Sequence, residues 1–344
     1  MNPAGRAVLR SLGAAGFGLG LLAVTLALLG YDPVLALGAL GRGAFGSWYA
    51  LTSATLVRAV PLILVGLGMC LAFRAGSLNI GGEGQFYAGA IAATAIASAV
   101  GSWPGPLGWL TVWVGATIAG MLWVLVPVGL KLRFGVLEVI TTLLLNFVAE
   151  GLVSLMVQGP LQEPQGIYPQ SAPIPLPTRL PILPGTRLHI GLLLAVSLAI
   201  GMWIVLTRTR WGFRLRAVGE APQAAAVAGR ISVGRMQGAA LIGSAGLAGL
   251  AGGVEISGVT YALYQNLSPG YGFSAIAVAL IARLHPLGVI VAGVGFGALE
   301  AGASGMQREA GVPAVAVNVV QAAIIILAIV GLNRSRSRLA EAAG

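Results

Sequence analysis

Charge is nearly absent from this sequence. Only 9% of its 344 residues are Asp, Glu, Lys or Arg, and the acids number ten. A soluble fold of this length normally carries far more charge on its surface. Lysine is scarcer still: Lys131 is the single one, against 19 arginines. A phosphate-binding loop of the G-x-x-x-x-G-K-[ST] type needs a lysine after glycine. Lys131 follows Leu130, so the chain does not bind ATP in that way. The one cysteine, Cys70, lies within an apolar run; it excludes an internal disulfide and says nothing about compartment. Two histidines and that cysteine do not make a convincing metal site.

What fills the chain instead is apolar. Hydrophobic residues make up 57% of it, mean hydropathy is +0.90, and there are 52 glycines. Several nearly uncharged windows reach the ~18 residues that cross a ~30 Å hydrocarbon layer. The alternation of a membrane barrel is absent, whereas glycine at this density suits tight helix packing and broken helices. The expected fold is all-α: a polytopic transmembrane helical bundle of about 8–10 spans with broken or re-entrant helices, in one domain over 1–344. Spans are predicted near 12–30, 56–73, 85–100, 108–130, 138–158, 189–207, 237–259, 286–303 and 314–331, with a short apolar piece at 275–282. The first run is long for a signal peptide and has no clear cleavage site, so it reads as a span.

The net charge of +10 is distributed as topology requires. Arg6 and Arg10, Lys131 and Arg133, the cluster Arg208, Arg210, Arg214, Arg216, Arg230 and Arg235, and Arg334, Arg336 and Arg338 fall on one side if both termini are cytoplasmic. That side assignment leaves nucleic acid out as a partner. Both termini inside requires an even number of crossings, and the nine long runs are odd; either 275–282 crosses with help or one long run is re-entrant. Two loops are longer than topology needs. Residues 159–188 carry eight prolines, an extended and stiff composition, and lie outside. Residues 208–236 are basic and alanine-rich and lie inside.

One stretch breaks the apolar pattern with concentrated polarity: NIGGEGQ, Asn79 to Gln85. A carboxylate at the bilayer centre costs about 2.5–3.5 kcal/mol on insertion scales. Irregular backbone at that depth survives only where protein or a wet cavity covers it. Asn79, Gly82, Glu83 and Gln85 are therefore expected at a polar interior; the competing reading is a solvated loop after Arg74. Across 138–158, Glu138, Thr142, Asn146, Glu150 and Ser154 recur every fourth residue and form one winding stripe on a helix. Such a stripe faces the bundle interior, as a pathway lining or as interhelical hydrogen-bond glue. Glu138 is expected at the cytoplasmic end. Glu255 and Glu300 are further in-span acids, each equally readable as a helix-end residue. Tyr261, Tyr264, Tyr271 and Phe273 read as an interfacial aromatic belt, or as a gate.

In the inside loop, Gly219 and Pro222 flank Glu220, which predicts a helix start; Gln223–Gly229 then reads as a short alanine-rich helix closed by glycine. A short exposed helix there would dock a cytosolic partner; the plainer reading is a positive-inside loop. GASG at Gly302–Gly305 fits the serine motif of rhomboid proteases, but no histidine follows His285, so that chemistry is rejected.

Four stretches carry a resemblance: LAFRAGSLNIGGEGQFYAGA, LEVITTLLLNFVAEGL, LRAVGEAPQAAAVAGRI and GYGFSAIAVALIARLHPLGVIVAGVGFGALEAGA. In order across about 56–331, they resemble motifs of bacterial ABC importer permeases, in the simple-sugar and nucleoside branch of the ribose and branched-chain amino acid permease family. The resemblance implies a multi-pass subunit of the bacterial cytoplasmic (inner) membrane with no cofactor, importing nucleosides or related sugars. The implied partners are a cytosolic tandem-domain ATPase that binds the ATP, a second similar permease and an extracytoplasmic solute-binding lipoprotein, besides membrane lipid and the small polar solute. The segment holding Arg216, Gly219, Glu220, Pro222, Ala226 and Gly229 is similar to the family's ATPase-coupling segment. The solute pathway is expected at Asn79, Gly82, Glu83, Gln85, Thr142, Asn146 and Glu150. The alternative function is an ion-coupled secondary transporter with Glu83 and Glu150 as proton sites; an intramembrane enzyme is the third reading.

Overall fold

The computed structural model describes Gly20, residues 22–229 and residues 231–313. The predicted span at 314–331, residues 12–19 and 21 of the predicted first span, Arg230 and the terminal arginines lie outside the described residues. The described elements are helical: a segment at 22–28, then α1 (Pro33–Phe45), a π-helical turn (Ala50–Thr55) running into α2 (Leu56–Arg74), α3 (Gly82–Ala99), α4 (Gly105–Trp123), α5 (Leu125–Phe134), α6 (Glu138–Val157), α7 (Gly191–Arg208), α8 (Arg210–Glu220), α9 (Pro222–Gly229), α10 (Val233–Glu255), a second π turn (Ile256–Thr260), α11 (Tyr271–Ile281) and α12 (Pro286–Ala310). Extended pairing among the described residues is limited to isolated bridges. Among the described residues, six helical stretches are long and apolar enough to cross a membrane, so the protein is a multi-pass membrane protein.

The chain divides into two compact units. One comprises the residues up to Arg58 together with those from Gly295 onward; the other is Ala59–Val294. In the first, Asp32 starts α1: its carboxylate accepts from Val34 N (2.8 Å) and Leu35 N (3.1 Å), with Pro33 at the first helical position. Leu22, Leu26, Ala36, Ala39, Ala303 and Met306 form its core.

The second unit is built on α3, α4 and α10. These helices meet through small residues: a side chain on Gly89 would collide with the carbonyl of Gly249, and one on Gly120 with that of Ala245. Backbones at that distance gain dispersion and weak C–H···O contacts that larger residues prevent. In α10 and its π turn, 78% of the apolar window is buried, against 22% for α6 and for α7; the first is interior and the other two are peripheral.

The structure alters three sequence-based readings. The run predicted at 108–130 is two helices joined at Val124 and extends to Phe134. The short piece predicted at 275–282 starts earlier, at Tyr271, and remains too short to cross in regular form. The Pro-rich loop does not stand apart from the helices. Ser171 N donates to Leu263 O (2.8 Å), Ile174 N to Tyr261 O (2.7 Å) and Leu180 N to Ser257 O (2.9 Å), laying it along the segment that follows α10. The Arg179 guanidinium covers the Tyr261 ring at 4.6 Å. Burial, with Glu255 adding to it, raises the nearby Tyr264 phenol above its ordinary range, so it stays a neutral hydroxyl.

Candidate functional site

The NIGGEGQ stretch is a break between two helices. Helix α2 ends at Arg74 because Gly76 takes a left-handed conformation (φ +74°), which lets Ser77 N reach Ala72 O (3.1 Å) and Gly76 N reach Phe73 O (3.1 Å). The chain then runs irregularly until α3 begins at Gly82. Six of the seven residues expected at the solute pathway meet here: Asn79, Gly82, Glu83, Gln85, Thr142 and Asn146 are all buried.

Inside this cluster, hydrogen-bonding capacity is spent within the chain. Asn79 and Gln85 pair amide to amide, Asn79 Nδ2 donating to Gln85 Oε1 (2.9 Å) and Gln85 Nε2 to Asn79 Oδ1 (3.0 Å). The remaining Asn79 donor goes to Ser244 Oγ of α10 (2.9 Å), and its oxygen also accepts from Gly81 N (2.9 Å). An amide has two donors and two acceptor sites, so Asn79 is saturated. Asn146 clamps the break from α6: its Oδ1 accepts from Gly84 N (2.8 Å), and its Nδ2 donates to Ile80 O (2.9 Å). Gly84 N belongs to the first turn of α3, where amides have no intrahelical partner, and Gly81 at the N-cap has no side chain. Asn146 thus caps α3 from a different helix. One turn earlier, Thr142 Oγ1 accepts from Ile80 N (3.3 Å) and donates to Glu138 O (2.6 Å).

Glu83 performs the same service elsewhere. Its carboxylate accepts from Gly272 N (2.6 Å) in the first turn of α11. Ser268 Oγ takes the neighbouring amides of Gly270 (3.1 Å) and Tyr271 (3.0 Å). A carboxylate is favoured at a helix N-terminus by the unpaired amides and the macrodipole. Gly272 cannot carry a side chain, because one would strike the Glu83 backbone. The seventh residue, Glu150, lies one turn beyond Asn146 on α6 but is exposed, outside the buried cluster. Ser154, next in the stripe, accepts from Gln265 Nε2 (2.7 Å) and Gln158 Nε2 (2.8 Å).

At its other end the stripe meets Lys131. Glu138 Oε1 pairs with Lys131 Nζ at 2.7 Å, and the same ammonium donates to Ser77 Oγ (3.1 Å) at the head of the break. The partner of Glu138 is thus the one lysine of the chain, and the scarcity of that residue was the available signal. Ser244 was also missed, being one hydroxyl in a glycine- and alanine-rich helix.

The basic loop at 208–236 contains more helix than expected. Glu220 does not start a helix; it ends α8, and Pro222 opens α9. Gly212, Leu215 and Val218 are buried along one side of α8, and Thr209 caps it by accepting from Gly212 N (3.1 Å). The arginines between them hid that period. Arg216 is half-buried, while Glu220, Pro222 and Ala226 are exposed; Gly229 closes α9. Gly219 lies against the backbone of the α2 turn: a side chain there would collide with the Arg74 carbonyl. Gln237 of α10 donates to Ala75 O (3.3 Å) in the same turn. The end of α8 therefore abuts the residues that lead into the capped break.

Residues 51–329 match a family model described as the permease component of branched-chain amino acid transport systems. Among curated relatives, a glucose ABC transporter permease of Haloferax volcanii is 38% identical, over 89% of this chain and 83% of its own. A guanosine ABC transporter permease of Bacillus subtilis is 36% identical, over 90% and 89%. A nucleoside ABC transporter permease of Lactococcus lactis is 32% identical, over 94% and 91%. The match spans the capped break, the polar stripe and the basic loop at 208–236 alike, and the chain belongs to this permease family as the transmembrane subunit of an ABC transport system.

Proposed function

We propose that this subunit imports nucleosides or related simple sugars, driven by ATP hydrolysed on a separate cytosolic subunit with tandem nucleotide domains. A second, similar permease completes the translocator, and an extracytoplasmic lipoprotein delivers the solute. The chain sits in the bacterial inner membrane with both termini cytoplasmic and holds no cofactor of its own. The relatives' named solutes, guanosine, nucleosides and glucose, support that solute class.

The observation that carries the mechanism is the backbone contact of Gly219 with the Arg74–Gly76 turn. The ATPase docks on Glu220, Pro222, Ala226 and Gly229, with Arg216 behind them. Its closure displaces the end of α8, and the displacement enters the α2 turn and the break. There Asn79, Gln85, Thr142 and Asn146 keep the irregular backbone satisfied, and Glu83 ties it to the N-terminus of α11. Half-helices meeting at mid-membrane are how alternating-access carriers move packed elements as rigid bodies. Glu150, exposed on α6, offers acceptor oxygens to solute hydroxyls, and Gly82 leaves room for the break to approach α11.

Uptake of labelled guanosine and labelled glucose tests this in cells expressing the whole complex, with and without the ATPase and with a protonophore. Import of either solute that needs the ATPase and survives collapse of the proton gradient is expected. Import that persists without the ATPase and stops with the gradient would select ion coupling at Glu83 and Glu150 instead.

A further inference from the structure

An open cleft of about 540 Å³ lies where α7 gives way to α8, lined by Thr207, Arg208, Thr209, Arg210, Phe213, Arg214, Arg216 and Ile231. Four of those eight residues are arginines and none is acidic. None of the four belongs to the ion pairs found among the described residues, Arg42–Glu309 and Lys131–Glu138. A concave site with four cations and no counter-charge selects an anion.

What adjoins the cleft identifies the class of anion. Ile200 (44% exposed), Ile204 (45%) and Arg208 follow one another at four-residue intervals on α7, so an exposed apolar line runs down an apolar 18-residue helix and ends on a guanidinium in the cleft. On α8, Trp211 and Phe213 are exposed beside Arg210 and Arg214. Apolar surface above, aromatic rings and arginines at one level, and a helix buried along one side only are the features of an element lying in the headgroup region. A free anion would have no use for the apolar line, and neither would an acidic protein surface.

We propose that this cleft binds an anionic phospholipid, its phosphate held by Arg208, Arg210 and Arg214 and an acyl chain lying along Ile204 and Ile200. The arginines that hold the phosphate lie at the start of α8 and the end of α7, away from the docking end at Gly219 and Glu220; Arg216 alone borders both, and the lipid site stands whether or not the proposed solute is correct.

The test is native mass spectrometry of the full-length chain, purified with whatever subunits accompany it, in micelles doped with phosphatidylglycerol or phosphatidylcholine. The wild type is expected to retain phosphatidylglycerol preferentially. Arg210→Gln with Arg214→Gln should lower that preference about 25-fold, since each interfacial basic residue contributes roughly fivefold. Arg210→Lys with Arg214→Lys keeps the charge and should retain most of it; together with Arg208→Gln alone it also serves if the double glutamine variant does not fold. Equal retention of both lipids by the wild type, or an unchanged preference in folded glutamine variants, overturns the proposal. Displacement of phosphatidylglycerol by millimolar inorganic phosphate overturns it in favour of a free anion. Loss of the ATPase subunit with lipid retention unchanged overturns it in favour of a protein surface.

Discussion

At the scale of single residues, the buried amides do work that a solvated loop would leave to water. Asn146→Leu removes the partners of Gly84 N–H and Ile80 C=O together. Each buried unpaired group costs about 1–3 kcal/mol, so a marked drop in thermal midpoint of the detergent-solubilised chain is expected, with uptake falling in step. Glu83→Gln is milder. The glutamine oxygen still accepts from Gly272 N, so α11 keeps its cap, but donors replace one of the two carboxyl oxygens, a change of about 1 kcal/mol. Normal membrane levels with several-fold slower uptake are expected, read as transport per molecule of inserted protein. Asn79→Ala and Gln85→Ala each break the same amide pair. Their combined destabilisation should fall short of the sum of the two by about 0.5–3 kcal/mol. A double-mutant cycle on thermal midpoints measures that shortfall, and strict additivity would count against the pairing.

At the scale of elements, the joints at the ends of the break separate structural from docking roles. Gly219→Val drives a side chain into the Arg74 carbonyl and should lower thermal stability as well as uptake. Glu220→Arg changes an exposed side chain at the end of α8. It should leave the thermal midpoint of the isolated chain unchanged while weakening co-purification of the ATPase. Lys131→Met strands Glu138, whose side chain is 12% exposed, and frees Ser77 at the head of the break. A loss of about 1–3 kcal/mol is expected, the cost of a largely buried group left without its partner, and Lys131→Arg should recover part of it. The polar stripe was legible at this scale because four-residue spacing on a helix needs no tertiary information. That Asn146 and Glu83 cap helices other than their own was not legible. Trans capping depends on which helix ends are brought together, and no local pattern encodes that.

At the scale of the whole molecule, the chain is expected to hydrolyse no ATP by itself. Its one lysine is held by Glu138 and Ser77 beside a membrane helix, away from any glycine-rich phosphate loop. Phosphate release from the pure chain, measured free of partner subunits, checks this. Composition, hydropathy and the four motif stretches by themselves determined the membrane class, the all-α fold, the family and the clustering of polar residues at NIGGEGQ. Those are statements about transfer free energy and spacing along one chain, and both are local. Only the tertiary structure decided that Glu220 ends a helix, that Glu150 lies apart from the buried cluster, and that the Pro-rich loop is hydrogen-bonded along 257–263. Each of these turns on which backbone groups remain unsatisfied until a distant segment arrives, and that is settled by packing rather than by sequence order.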